Sequence, residues 1–346
     1  MNFIQVIETF FVAGFISYLI TPFVRTMAIK LDYLDYPRDN KVHAHPTPLL
    51  GGVAMFIAFF IAILMKEQVV ALPQIRAILS GSFILLIIGL IDDKMGMMPN
   101  FKLLGQFLAA MVAIKAGLRV DFISNYYLSV IFTYIWIIGI TNSFNLLDNM
   151  NGLSAGIAGI ASLFFGIISF LDGQLITSTV SFALAGCAFG FLKHNFPRAS
   201  LFMGDSGSLV LGYVLASLAI LGKWKSYILT TSLMVPVMVL GYPIFDTALV
   251  SIIRIIEGRS IFQGRRDHSS HRLALLGLKR YRTVLAIYGV CICLGLSAVI
   301  VTMVHWTIGI GLGILVFISM SALGIRLSLV DTKRFGRKKS VNGQVE

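Results

Sequence analysis

The chain has 346 residues, of which 57% are hydrophobic and only 13% charged, and its mean hydropathy is +0.86. A soluble domain is close to half apolar and a quarter charged, so this composition excludes an ordinary soluble protein and indicates a polytopic membrane protein. The net charge of +12 does not indicate a nucleic-acid-binding protein, because the chain has no basic patch with interleaved aromatic residues.

Eleven apolar stretches, separated by polar loops, run through the chain. Each is predicted to be helical, because a backbone exposed to lipid must satisfy its own hydrogen bonds. The predicted fold is therefore an all-α, polytopic membrane bundle of about eleven transmembrane helices, with one domain over residues 1–326 and a basic cytosolic tail over 327–346. The stretches are 4–24, 50–65, 72–91, 101–116, 127–141, 152–171, 174–192, 207–222, 227–253, 284–303 and 306–326.

The distribution of Lys and Arg predicts the orientation of the bundle. No cation precedes the first stretch, whereas Arg25 and Lys30 follow it, which predicts an external N-terminus. With eleven crossings, the cytosolic segments and their flanks then carry 22 of the 28 Lys and Arg, and the C-terminus is cytosolic. These cytosolic segments are 25–49, 92–100, 142–151, 193–206, 254–283 and the tail.

The first polar cluster contains Lys41, His43, the sequence Pro46-Thr47-Pro48 and the pair Gly51-Gly52. Prolines fix the loop backbone, and paired glycines let a ligand or a neighbouring helix approach closely. Taken alone, this pattern is that of an ordinary juxtamembrane loop.

Asp92 and Asp93 form the second cluster, where the third apolar stretch ends. Adjacent carboxylates repel each other unless a cation neutralises them, and their hard oxygens suit Mg²⁺. A solvated turn is the alternative, although carboxylates are unfavourable at a helix C-terminus. Lys102 and Gln106 follow one turn apart and are expected to face the same cleft.

The segment Thr141–Leu153 holds four Asn and Asp148 between two apolar stretches. Asn142, Asn145 and Asp148 are spaced by three, so on a helix they share one face. A stripe of amides and one carboxylate at a membrane boundary indicates a site for a hydrated, charged ligand. For any single Asn, a helix cap in an interfacial loop is the alternative.

The segment Phe202–Ser208 reads Phe-Met-Gly-Asp-Ser-Gly-Ser and leads into the eighth stretch. A helix start offers backbone N–H groups and a positive dipole end, both suited to phosphate. Asp205 is then an anion in a phosphate site, an arrangement that is favourable if a metal ion bridges its carboxylate and the phosphate. A plain N-cap is the alternative.

Asp246 lies inside the ninth stretch, and the loop after it carries His268, His271 and Arg272 among other Arg residues. A carboxylate within the membrane is costly, so Asp246 is expected to face the bundle interior and a partner. The two His with flanking Arg fit a pyrophosphate better than a metal, since no third soft ligand is near. All five clusters fall on the cytosolic side, which predicts one composite site.

At these positions the chain resembles the polyprenyl-phosphate N-acetylhexosamine-1-phosphate transferases, membrane enzymes that begin teichoic-acid, O-antigen (lipopolysaccharide) and other envelope glycans. The resemblance runs from about Val24 to Leu276. It rests on the loop Lys41–Gly52, the pair Asp92-Asp93, Lys102 with Gln106, the series Asn142, Asn145 and Asp148, the segment Phe202–Ser208, and His268 with His271-Arg272-Leu273.

Three motifs depart from the family pattern. A third Asp that usually extends the acidic pair is Gly96 here, and the second Asp of the Asp-Gly-x-Asp-Gly segment is Asn151. The His-x-His-His run keeps only its outer His residues, with Ser269 and Ser270 between them. The acidic pair and Asp205 remain, so these departures bear on the identity of the sugar nucleotide and not on the reaction.

The resemblance implies transfer of a sugar-1-phosphate from a UDP-N-acetylhexosamine, with UDP-GlcNAc favoured, to undecaprenyl phosphate in a bacterial cell membrane, with release of UMP. It implies Mg²⁺ as cofactor, with Mn²⁺ as an alternative, and leaves a homodimer open. One-step transfer and a two-step route through a carboxylate nucleophile both remain open.

The resemblance also implies roles for individual residues. Asp92, Asp93 and Asp205 are catalytic, and Asp205 holds the metal with the amide oxygen of Asn145. The predicted substrate-binding residues are Asn142, Asp148 and Asn151 for the nucleoside, His268, His271 and Arg272 for the sugar phosphate, and Lys41, His43, Lys102 and Asp246.

Two other functions fit parts of the sequence. The enzymes that transfer phospho-N-acetylmuramoyl-pentapeptide in peptidoglycan synthesis share the acidic pair, but the Pro46-Thr47-Pro48 loop and the eleventh stretch with its basic tail resemble that branch less. An ion-coupled transporter would account for Asp246, yet transporters place their charges near the bilayer midplane, whereas most charges here are predicted at one face.

Overall fold

The computed structural model describes residues 3–36, 46–224, 229–260, 267–330 and 332. Within these ranges the chain forms fourteen α-helices and one pair of two-residue strands. The helices are α1 Phe3–Lys30, α2 Gly51–Leu64, α3 Glu67–Val70, α4 Pro73–Met95, α5 Pro99–Lys115, α6 Tyr126–Leu147, α7 Leu153–Leu171, α8 Leu175–Asn195, α9 Gly204–Leu221, α10 Leu229–Val239, α11 Gly241–Ile256, α12 Ser269–Leu275, α13 Arg280–Met303 and α14 Trp306–Ser328.

Each predicted stretch coincides with a helix or, for 227–253, with the successive helices α10 and α11. The predicted all-α membrane bundle is therefore confirmed. Among the described residues, eight helices are long and apolar enough to cross a membrane, and nine if the pair around Leu240, bent by 74°, counts as one span. The prediction of eleven crossings also counts α2 and α5, which have only 14 and 17 residues.

Helix α9 lies at the centre of the bundle, packed against α2, α4, α6, α7 and α8. Its side chains are nearly all buried, and small residues let its neighbours come close. A Cβ on Gly52 of α2 would collide with the backbone of Gly207, so these two helices touch through glycine. Large apolar side chains on α1 and α14, such as Phe15 and Phe317, face outward, as expected for surfaces in contact with lipid.

The helix packing brings several chain segments to one end of the bundle. Helices α4 and α6 end there, while α5 and α9 begin there. The strands β1, Leu34–Asp35, and β2, Thr47–Pro48, pair antiparallel at the same end, with Leu34 opposite Pro48. The backbone N–H of Phe202 donates to the carbonyl of Pro48 at 2.8 Å, which ties this short ladder to the start of α9.

Candidate active site

A cleft of about 1440 Å³ opens at this end of the bundle. It is lined by side chains from distant parts of the chain, because the helix ends described above surround it. Among the residues predicted from the sequence, those that line it are Asp92, Asp93, Asp148, Asn151, Asp205, His268 and His271. The prediction that separate polar clusters form one composite site is thus supported by the packing, for the clusters that the structure describes.

The ammonium group of Lys102, which does not itself line the cleft, lies beside a group of four carboxylates that do. Lys102 projects from the first turn of α5 and forms ion pairs with Asp92 and with Asp205. Asp93 and Asp148 complete the group of carboxylates. Four close carboxylates share the ammonium group of Lys102, an arrangement that favours the uptake of protons or of a further cation.

Asp93 holds the start of α9. Its carboxylate accepts hydrogen bonds from the backbone N–H groups of Asp205, at 2.7 Å, and of Ser206, at 3.2 Å. Gly204 permits this contact, because its φ of 74° is unfavourable for other residues and a Cβ there would meet the Asp93 carboxylate. The start of α9 was expected to suit a phosphate, with a plain N-cap as the alternative; in the structure these two N–H groups donate to Asp93.

The amides of α6 differ from their predicted arrangement. Asn145 donates from Nδ2 to Asp205 Oδ1 at 2.9 Å and to Ser208 Oγ at 3.0 Å. The nitrogen of this amide, and not the oxygen predicted as a metal ligand, therefore faces Asp205. Asn142 exchanges two hydrogen bonds with Gln106, at 2.8 and 3.1 Å, and neither residue lines the cleft. This reciprocal amide pair joins α5 to α6, so Asn142 is not placed to contact a nucleoside.

Asp148 follows the last residue of α6 and remains half-buried at the wall of the cleft. Burial, reinforced by the nearby carboxylates of Asp205 and Asp93, raises the pKa of Asp148 to about 8. In the absence of ligand this carboxyl group therefore takes up protons more readily than an ordinary aspartate.

The His segment, Asp267–Arg272, is almost entirely buried. Asp246 is 0% exposed, and its Oδ2 lies 2.8 Å from Nδ1 of His268. Asp246 thus faces the interior and has a partner, as expected, but it was also predicted to bind substrate, and it does not line the cleft. Ser270 donates to Asn149 Oδ1 at 2.7 Å, which joins the His segment to the polar segment after α6.

A buried ion pair anchors the start of the His segment. The Arg254 guanidinium donates to both carboxylate oxygens of Asp267, at 2.8 and 3.1 Å. Burial opposes ionisation of Asp267, but the bidentate contact with Arg254 outweighs it and lowers the pKa of this carboxyl group.

Comparison with known proteins identifies the family. The sequence model of the family described as glycosyl transferase family 4 matches residues 75–223 of this chain. The chain is 35% identical over 306 residues to a probable undecaprenyl-phosphate N-acetylglucosaminyl 1-phosphate transferase of Bacillus subtilis, covering 86% of this chain and 85% of the relative. The chain belongs to glycosyl transferase family 4.

Other relatives cover similar shares of the chain. The decaprenyl-phosphate N-acetylglucosaminephosphotransferase of Mycobacterium leprae is 31% identical over 312 residues, which are 80% of this chain and 78% of the relative. The phospho-N-acetylmuramoyl-pentapeptide-transferase of Levilactobacillus brevis is 29% identical over 283 residues, 73% of this chain and 83% of the relative. The protein is therefore a multi-pass membrane transferase of this family, and the acetylglucosamine branch is the more similar one.

Four further basic residues fall into two groups. Lys41 and His43 lie outside the residues that the structure describes. Sequence reasoning missed Lys279 and Arg280, which line the cleft at the start of α13. Their charge was attributed only to the cytosolic excess of cations, although their position just before an apolar stretch is the same signal that singled out Asp205.

Arg272 is placed differently from its prediction. It is 2% exposed and does not line the cleft. Its Nη1 donates to the carbonyls of Leu327, at 3.1 Å, Ser328, at 3.4 Å, and Val330, at 3.0 Å. Carbonyls at a helix C-terminus lack intrahelical partners, so Arg272 caps the C-terminus of α14 and is not placed in the cleft where a sugar phosphate was expected.

We therefore expect Arg272→Ala to lower the free energy of unfolding by about 2 kcal/mol or more, because it leaves buried carbonyls without donors. The affinity for UDP-GlcNAc should change less than about twofold. Thermal unfolding and equilibrium binding of UDP-GlcNAc in detergent measure both quantities. Arg282→Ala, at an exposed position, is the matched control. A tenfold loss of affinity with unchanged thermal stability would place Arg272 on the donor.

Proposed function

We propose that this protein transfers N-acetylglucosamine-1-phosphate from UDP-GlcNAc to undecaprenyl phosphate and releases UMP. The observation that carries the proposal is the convergence of Asp92 and Asp205, which line the cleft, on the ammonium group of Lys102. Two acetylglucosamine-phosphate transferases among the relatives support the choice of sugar. The product would enter envelope glycan synthesis in a bacterial membrane.

The reaction exchanges one phosphoanhydride for another. An oxygen of the acceptor phosphate attacks the phosphorus that carries the sugar, the bond from this phosphorus to the bridging oxygen breaks, and UMP leaves with that oxygen. Such transfers depend mainly on positioning and charge neutralisation. Asp92, only 10% exposed and paired with Lys102, is proposed to orient the acceptor phosphate or remove its proton.

Mg²⁺ is proposed as the cofactor, with Mn²⁺ as a substitute. Within the described residues, no group of three His, Cys, Asp or Glu is arranged to hold a metal alone. Mg²⁺ is commonly held by one or two carboxylates together with substrate phosphates. The donor set fits such a shared site at Asp205, where the ion would neutralise the charge of the diphosphate and of the departing UMP.

The other walls of the cleft are proposed to bind the rest of the donor. Asp148 and Asn151, which line the cleft after α6, are assigned to the nucleoside. His268 and His271, on the His segment, are assigned to the sugar phosphate. Lys279 and Arg280 at the rim add positive charge where an anionic lipid would enter.

The choice of donor is tested by competition between UDP-GlcNAc and UDP-N-acetylmuramoyl-pentapeptide. With purified protein, Mg²⁺ and undecaprenyl phosphate, we expect kcat/KM to favour UDP-GlcNAc by at least about a hundredfold, roughly 2.7 kcal/mol. The expectation follows from the higher identity to the acetylglucosamine relatives. Preference for the pentapeptide donor would move the protein to the peptidoglycan branch.

The cleft is proposed to open to the cytosol, as the distribution of Lys and Arg predicts. Cysteines introduced at Lys279, on the cleft rim, and at Asp121, in the loop between α5 and α6 at the opposite end, test this orientation. The test uses a Cys293→Ala background, because Cys293 is exposed whereas Cys187 and Cys291 are buried. In intact cells an impermeant maleimide should label position 121 and miss position 279. The reverse pattern contradicts the proposed orientation.

A further inference from the structure

We propose that Asp246 is a positioning residue for the transfer reaction, because it holds the imidazole of His268 in one orientation at the cleft wall. The proposal rests on the proposed function, in which His268 contacts the sugar phosphate. It replaces a direct role of Asp246 in binding substrate, since Asp246 is fully buried and does not line the cleft.

The carboxylate of Asp246 is satisfied entirely by the His segment. Oδ2 lies 2.8 Å from His268 Nδ1, and Oδ1 accepts from the backbone N–H of Ser269 at 2.7 Å and from the Ser269 hydroxyl. A buried carboxylate is tolerated when its charge is balanced by several hydrogen bonds. Asp246 on α11 therefore fixes both residues at the start of α12.

The direction of the hydrogen bonds follows from the chemistry of the groups. An ionised carboxylate accepts only, so the Nδ1 nitrogen of His268 must carry a proton. The single hydroxyl proton of Ser269 points to Asp246, so the hydroxyl of Tyr242, 2.6 Å from Ser269 Oγ, must donate to Ser269. Tyr242 is only 1% exposed, so this series of hydrogen bonds is buried in the protein.

The consequence for the cleft concerns the other nitrogen of His268. With Nδ1 held by Asp246, the opposite edge of the ring carries Nε2, and His268 lines the cleft. When the ring is neutral Nε2 accepts a hydrogen bond, and when it is protonated Nε2 donates to an anion such as a diphosphate oxygen. A carboxylate behind a histidine fixes the tautomer of the neutral ring and the orientation of the ring in both states.

A double-mutant cycle on UMP release tests the coupling. Asn keeps the size of Asp246 but offers one acceptor oxygen, so Asp246→Asn leaves either His268 or Ser269 without its acceptor. We expect kcat to fall about 10- to 100-fold, with a change in KM for UDP-GlcNAc of less than about threefold. In a His268→Ala background the same change should cost less than about twofold. Asp121→Asn, a charge change in an exposed loop at the other end of α5, is the matched control and should leave kcat unchanged.

A spectroscopic measurement separates this inference from the proposed function, because it needs no turnover. In ¹⁵N-histidine-labelled protein, the signal lost in His268→Ala identifies His268. We expect it to show a protonated Nδ1 in the wild type and to shift in Asp246→Asn. An unshifted signal, or equal losses of kcat from Asp246→Asn with and without His268, would overturn the inference. A shifted signal in a protein that releases no UMP would leave the pairing standing and contradict the proposed function.

Discussion

Asp205→Asn is expected to lower kcat for UMP release by about 10²- to 10³-fold, the loss typical of removing one electrostatic contact to a transition state. The carboxylate of Asp205, which lines the cleft, faces Lys102 and the Asn145 amide. Asn keeps the shape but removes the negative charge that would hold Mg²⁺ beside the diphosphate. The Mg²⁺ concentration for half-maximal activity should therefore also rise.

The measurement is UMP release as a function of Mg²⁺ concentration, with thermal unfolding as the check on folding. The capping of α9 is unaffected by the substitution, because it uses the backbone N–H of Asp205 and the carboxylate of Asp93. We therefore expect the melting temperature to change little. Full activity with an unchanged Mg²⁺ titration would remove Asp205 from the metal site.

Lys102→Met is expected to lower kcat by about a hundredfold. Lys102 pairs with both Asp92 and Asp205, so a neutral side chain of similar length leaves two close carboxylates without their cation. Raised Mg²⁺ should restore part of the activity, because a divalent cation can neutralise the same pair. Lys102→Arg keeps the positive charge but replaces the compact ammonium by a larger, planar guanidinium group. It should therefore retain more activity than Lys102→Met.

Lys115→Met is the matched control, because Lys115 is exposed on the same helix at the end opposite the cleft. The assay compares kcat of the three variants at two Mg²⁺ concentrations. Normal turnover in Lys102→Met at low Mg²⁺ would show that the Lys102 pairs are structural and do not serve the reaction.

The sequence predicts the helices of this fold well, because segments that contact lipid must be apolar. Every predicted apolar stretch is helical, since uninterrupted apolar runs in a membrane protein have few other ways to satisfy their backbone. The break at Leu240 was not predicted, because the stretch 227–253 is apolar on both sides of it. Hydropathy predicts whether a segment lies within the membrane but not whether its helix is bent.

The sequence predicts which polar residues share the cleft better than it predicts what each one contacts. Asp92, Asp205 and His268 line the cleft as expected. Asp93 was assigned a catalytic role and also lines the cleft, but its carboxylate caps the start of α9. Arg272 was assigned to the sugar phosphate, but it caps the end of α14. Every helix end carries N–H or C=O groups that lack intrahelical partners. Which side chain satisfies them depends on packing between distant segments, as for Asp93 and the start of α9, which are more than a hundred residues apart.

The central claim, that the cleft carries out phosphoryl transfer, is tested most directly by the nucleotide that leaves. UDP-GlcNAc labelled in the β-phosphate is incubated with purified protein, undecaprenyl phosphate and Mg²⁺, and both products are separated. We predict that UMP is released and that the labelled phosphate is found in the lipid as undecaprenyl diphosphate N-acetylglucosamine. Release of labelled UDP, with unlabelled phosphate in the lipid, would mean transfer of the sugar alone and would contradict the account.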